Sequence, residues 1–189
     1  MDNGKTHEAY WQPVFKGLEP LRAWHRDHVP DVNIIVYNDH ATAIALDNYA
    51  TFTLGVAEQF LPADEGWGRR QVPVVQGHPE LAWHLVESLI MDEFDLAVSG
   101  DLDVDHGLTV PLSIAYDQPA AWPTPVIPLA VNVIQYPQPT ALRCFKLGQA
   151  IRKAVESFPG DLTVGIWGTG GLSHQLGGER VGVVNPAFD

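Results

Sequence analysis

The 189-residue sequence predicts an α/β protein, a layered α/β/α domain around a mixed central sheet. Three observations carry that expectation. Helical and strand-like segments alternate along the chain, the order that stacks helices on a sheet. Residues 32–37 (VNIIVY) and 162–167 (LTVGIW) read as buried strands, rich in apolar and β-branched side chains. Three strand-like segments each run on into a histidine: VNIIVYNDH to His40, DLAVSGDLDVDH to His106 and LTVGIWGTGGLSH to His174. Ligands of open α/β sheets bind outside the carboxyl ends of the strands. A histidine delivered there can ligate a metal or move a proton at neutral pH.

The elements follow in order. Residues 10–28 read as helical with interruptions, Pro13 and Pro20 each opening a short stretch. Residues 32–37 form the first strand and 51–56 a weaker one. Residues 61–75 (LPADEGWGRRQVPVV) are rich in Pro, Gly and charge and predict a long surface loop. Pro79 opens an amphipathic helix whose apolar face carries Leu81, Leu85, Val86, Leu89 and Ile90. A short strand is expected at 96–98, and another at 126–133, which Pro128 places at an edge or a bulge. Thr140 is the expected N-cap of a helix running to about Ser157, stopped by Pro159-Gly160. The strand at 162–167 closes the pattern, and residues 1–189 read as a single domain.

Composition narrows the function. Hydrophobic residues make up 46% and charged residues 18%, the balance of a globular chain rather than a disordered one. A net charge of −12 argues against a nucleic-acid partner, which needs a basic face. No apolar run approaches a membrane span, and the polar N-terminal MDNGKTHEAYW does not read as a secretory signal. The single cysteine, Cys144, excludes an internal disulfide, fits a reducing cytoplasm and reads as a buried structural thiol.

Three constellations can carry chemistry. In Asn38-Asp39-His40 a histidine follows a buried strand directly, and its neighbours could orient the imidazole; the alternative is a solvent-facing turn. In Asp103-Val104-Asp105-His106-Gly107 two carboxylates and a histidine could hold a divalent metal or form a proton relay. A helix can begin there, with Asp105 as its cap. Gly168-Thr169-Gly170-Gly171-Leu172-Ser173-His174 is neither a phosphate loop nor a nucleophile elbow; it reads as a glycine-supported base or as a plain turn. His7, His25, His28, His78 and His84 read as structural or surface residues, the first three exposed. The H-E-x-x-H and C-x-x-C zinc signatures are absent from the sequence.

Taken together, YWQPVFKGLEPLRAW, PDVNIIVYNDHA, PADEGWGRR, GHPELAWHLVESLIMDEFD, DVDHGLTVPLS, RCFKLGQAIRKAVESFP and WGTGGLSHQLGGERVG resemble the β subunits of the class III extradiol ring-cleaving dioxygenases, the protocatechuate 4,5-dioxygenase and gallate dioxygenase group. The resemblance covers nearly the whole chain. It implies a non-haem Fe(II) held by two histidines and a glutamate, with open positions for a catecholate and O₂. By that resemblance His40 is an iron ligand; from their place beside it, Asn38 and Asp39 are read as the outer partners that orient it. His106 lines the substrate pocket, and His174 is the catalytic acid/base. The family's first iron histidine, in a Ser-His-Ile-Pro type of segment, and its iron glutamate match nothing in this chain, and Glu179 belongs to a different matched segment. The fold is therefore expected to be incomplete relative to the family, and the chain inactive as it stands. The resemblance also implies a small α subunit in an α₂β₂ assembly, and aromatic acids such as protocatechuate or gallate as substrates. Two other classes remain open: a non-catalytic binding module with the same fold, and a metal-dependent hydrolase on this scaffold.

Overall fold

The computed structural model describes residues 5–48, 50–175 and 178–189. A five-stranded mixed sheet lies at its centre, in the order β5-β2-β6-β1-β7. The strands are β1 (Val32–Tyr37), β2 (Phe52–Gly55), β5 (Ala97–Ser99), β6 (Val126–Val131) and β7 (Val164–Gly168), and a two-stranded hairpin pairs β3 (Gln59–Phe60) with β4 (Val75–Gln76). Strand β1 runs parallel to both β6 and β7, whereas β2 runs antiparallel to β6 and parallel to β5. The predicted mixed α/β/α layering is what the chain adopts.

Period-two alternation in β1 feeds two separate cores. Val32 and Ile34 face one core with Phe52, Leu54, Ile127 and Leu129, covered by α2 (Pro79–Met91) and α4 (Ala141–Ser157). Ile35 and Tyr37 face the other, with Val126, Ala130 and α3 (His106–Tyr116). On α2 the buried positions are Leu81, Ala82, Leu85, Val86 and Leu89, one stripe at helical spacing. Each buried leucine contributes about 2 kcal/mol from area removed from water. Thr140 caps α4 as expected, its side chain accepting from the Arg143 amide at 3.2 Å.

Several expectations change. Residues 12–27 form one helix, α1 (Gln12–Asp27), with Pro20 inside it rather than opening a second stretch. Pro20 and Lys16 are both exposed, so water can take the carbonyl that Pro20 leaves unbonded. Pro128 sits neither at an edge nor in a bulge: β6 is the middle strand, with Ile35 paired to Pro128. The Asn33 amide donates to the Pro125 carbonyl, so residues 127 and 129 face β1 and Pro128 faces β2. The β2 ladder ends at the Leu54–Leu129 pair, just short of the proline's missing N–H. His25 is buried instead of exposed, packed on Tyr116 and Trp167 with ring centroids 5.3 and 4.8 Å away, and burial lowers its pKa. The 61–75 segment is not simply a surface loop, since Ala63 and Val75 are buried at its two ends.

At the edge of the sheet, β7 carries Ile166 at 57% exposure. A cavity of about 770 Å³ runs along that strand beneath α1, lined by Trp24, His25, Asn33, Gly165 and Trp167 among others. Gly165 is required there, because a Cβ would stand 2.2 Å from the Asn33 Oδ1 atom. No described helix is long and apolar enough to cross a membrane.

Candidate functional site

The carboxyl end of β1 delivers Asn38, Asp39 and His40 against the first turn of α3. Gly107 permits that approach: a Cβ there would lie 2.5 Å from the Asn38 carbonyl oxygen and 3.2 Å from the His40 Cε1 atom. Asp105, fully buried, joins the two segments. Its Oδ2 atom accepts from the His40 amide at 2.9 Å and from the His40 Nδ1 at 2.7 Å. Its Oδ1 accepts from the Gly107 amide at 2.8 Å, so the residue caps α3 as well.

Glu65 repeats this grip on the second histidine. The Glu65 Oε1 accepts from the His106 amide at 3.1 Å, while its Oε2 takes the hydrogen bond of the His106 Nδ1. In both pairs one carboxylate holds a histidine's main-chain N–H and its ring Nδ1 together. The two imidazoles stack, with centroids 4.0 Å apart and planes 27° from parallel.

The segment that carries Glu65 is itself braced. The Asp64 Oδ1 accepts from the Gly66 and Gly68 amides, both at 2.9 Å. The two glycines take φ of +94° and +83°, a left-handed backbone they adopt at no steric cost. Between them Trp67 stands 94% exposed. Arg70 donates to the Glu65 Oε1 at 2.9 Å, and Arg69 pairs with Asp103 at 2.9 Å while donating to the Pro62 carbonyl at 3.0 Å.

These contacts set the electrostatics. The Asp105 hydrogen bond raises the His40 pKa against the opposing effect of burial. For Asp105, burial alone would push the carboxyl up, but the bonds from the His40 ring and backbone outweigh it and the net shift is downward. Glu65 behaves alike: burial raises it, the bonds from Arg70 and His106 lower it more, and it ends below its ordinary value.

The structure brings His40 and His106 together and corrects the partners expected for them. His106 does not end a strand; it is the first residue of α3. Asp39 does not bond the imidazole. Its carboxylate accepts from the amides of Thr42, Ala43 and Ile44 at 2.8, 3.2 and 3.1 Å and so shapes the turn after β1. Asn38 does reach the ring, with its Nδ2 at 3.1 Å from the His40 Nε2. His174 is exposed and is not among the side chains gathered around His40. The segment leading to it does start nearby, where the Thr169 amide and hydroxyl donate to the Val36 carbonyl at 3.2 and 3.0 Å.

His40, Asp105 and His106 offer metal-binding atoms within 4.8 Å of one another. The donor chemistry selects among them. Asp105 is enclosed and already accepts three hydrogen bonds, which suits an outer carboxylate rather than a ligand. With Nδ1 committed to Asp105, the His40 ring keeps Nε2 for a metal, the arrangement common to ligating histidines. The residues present thus fit one imidazole ligand and its orienting carboxylate.

Glu65 is the residue that sequence reasoning missed. It lies 41 positions from His106, and nothing in local spacing joins them. The available signal was the D-E-G-W-G-R-R run, whose glycines and paired charges mark a braced turn rather than slack chain.

Comparison with known proteins identifies the family. Residues 1–189 match the model of the family described as the catalytic LigB subunit of aromatic ring-opening dioxygenase. A gallate dioxygenase of Pseudomonas putida is 50% identical over 127 residues, which are 67% of this chain and 37% of that protein. A 2,3-dihydroxyphenylpropionate/2,3-dihydroxicinnamic acid 1,2-dioxygenase of Photorhabdus laumondii is 31% identical over 190 residues, 100% of this chain and 57% of that protein. An enzyme of the same name from Escherichia coli is 31% identical over 146 residues, 77% of this chain and 44% of its own length. The chain therefore spans roughly a third to three-fifths of these relatives. A match along all 189 residues, on a sheet that brings His40 and His106 together at the end of β1, places this chain in the family of the catalytic LigB subunit of aromatic ring-opening dioxygenases.

Proposed function

We propose that the protein acts in extradiol cleavage of a catechol-type aromatic acid, gallate or protocatechuate, by O₂ at a non-haem Fe(II). The observation that carries this reading is the fixed His40 imidazole, its Nδ1 held by buried Asp105 and its Nε2 left for a metal. His40 would hold a ferrous iron through Nε2, and the chemistry such an iron would supply is electron transfer between a catecholate and O₂. Asp105 does the positioning: it fixes both the backbone and the ring of His40, and its charge favours a more basic Nε2. The Asn38 amide must turn away from that nitrogen when a metal arrives. Asp39 serves the site indirectly by shaping the turn that carries His40.

His106, stacked on His40, is the proposed pocket residue, placed to hydrogen-bond a substrate hydroxyl. His174 is the proposed acid/base, a role carried by family resemblance and by the start of its segment beside Val36. A small α subunit and a cytoplasmic setting belong to the same proposal. A second reading rests on the donor set: buried Asp105 already accepts three hydrogen bonds, which leaves His40 as the one ligand that the described cluster fits. On that reading the chain is a non-catalytic module that keeps the fold and the pocket.

Anaerobic loading with Fe(II), followed by oxygen uptake with gallate and with protocatechuate, separates the two. Uptake that His40→Ala abolishes supports cleavage by this chain. Gallate binding without uptake supports the non-catalytic module. Neither binding nor uptake overturns both.

A further inference from the structure

Glu65 has no role in the reading above, yet it is the only described carboxylate that grips both the main chain and the ring of His106. A neutral imidazole carries one proton, and the hydrogen bond made by one nitrogen decides which nitrogen keeps the lone pair. A carboxylate can only accept. Contact between the Glu65 Oε2 and the His106 Nδ1 therefore requires a hydrogen on Nδ1. Nε2 then keeps the lone pair and becomes the acceptor. The geometry is held from three sides. The His106 amide fixes the other oxygen of the carboxylate, Arg70 balances its charge, and the Asp64 turn fixes its backbone. On the other histidine Asp105 makes the same pair of contacts, so the two stacked rings are set in the same tautomer.

We propose that Glu65 is a positioning residue that locks His106 in the Nδ1–H tautomer, presenting Nε2 as a proton acceptor to a hydroxyl of the bound aromatic diol. The assignment of that hydroxyl rests on the ring-cleavage reading; the tautomer does not. Histidine ¹⁵N spectra of the full chain, recorded with the imidazoles neutral, test it in wild type, Glu65→Ala and Glu65→Gln. Wild type is expected to show Nδ1–H at His106. Glu65→Ala is expected to move the tautomer ratio toward Nε2–H by at least about ten-fold, the size a charge-assisted hydrogen bond supports. Glu65→Gln, whose amide oxygen still accepts, is expected to restore most of the Nδ1–H form. Core amide signals from β1 and β6 report whether each variant is folded. Nε2–H in wild type, or an unchanged ratio in folded Glu65→Ala, overturns the proposal. Gallate titration of the same samples keeps the two ideas apart. An Nδ1–H ring in a protein that binds no diol removes the ring-cleavage reading and leaves Glu65 setting the tautomer. A tautomer change in Glu65→Ala that leaves gallate affinity unaltered overturns the role assigned to Nε2.

Discussion

The two histidine clamps use the same contacts and differ in what stands behind them. Asp105 is fully enclosed, caps α3 and ties that helix to β1. Glu65 rides on a turn at the surface, its side chain 17% exposed and shared with Arg70. A carboxylate sealed in the core can be lost only at the cost of the fold around it. One on a braced turn can be lost with little harm to the fold, so its effect on the ring shows separately. The same two contacts, to a main-chain N–H and to a ring Nδ1, thus divide into a structural clamp and an adjustable one.

The sharpest way to break the comparison is Asp105→Ala. It strips an acceptor from three donors and uncouples α3 from β1, and should cost about 3 kcal/mol. Chemical denaturation reads this directly, and a loss below about 1 kcal/mol would make the two clamps equivalent. Gly107→Ala should cost about 2 kcal/mol, because its Cβ would collide with the Asn38 carbonyl and drive the helix from the strand. Its mark beyond stability is lost stacking of the two imidazoles, visible in their proton shifts.

The pH dependence follows from the directions of the shifts. Asp105 sits below its ordinary 3.8 when folded, so its contribution is present above that value and is lost as pH falls through the lower folded pKa. His40 sits above its ordinary 6.5, so its contribution is complete below 6.5 and is lost as pH rises through the higher folded pKa. The pair should therefore be worth most between 3.8 and 6.5, with about 1 kcal/mol lost on either side. Urea midpoints across pH should show this plateau, and Asp105→Asn should flatten it. Glu65→Ala closes the series with a stability cost under about 1 kcal/mol. A larger loss would place both clamps in the structural class.

How much of this was legible in the sequence depends on the range of the interaction. Capping of α4 by Thr140 and the stripe on α2 are local, so spacing alone revealed them. The rank of β6 in the sheet was not local. Pro128 reads as an edge residue until its partners are known, and only the end of the β2 ladder explains its tolerance. His40 and His106 stood out in the sequence, but the carboxylates that hold them were assigned wrongly or missed. Adjacent Asp39 was the natural partner on paper, yet a side chain following an extended strand reaches its own turn more easily than its neighbour's ring. Asp105 and Glu65 act across 65 and 41 residues, distances at which charge pattern carries no register.

The exposed indole between Gly66 and Gly68 has a practical consequence. Trp67 is two residues from Glu65, and the same Asp64 hydrogen bonds shape the backbone on both sides of it. Subtracting the emission of Trp67→Phe from that of wild type isolates one water-facing fluorophore. Anything that moves the Glu65 turn would shift its colour or its anisotropy. The molecule thus carries an optical gauge beside the Glu65–His106 contact, readable in dilute solution without a label.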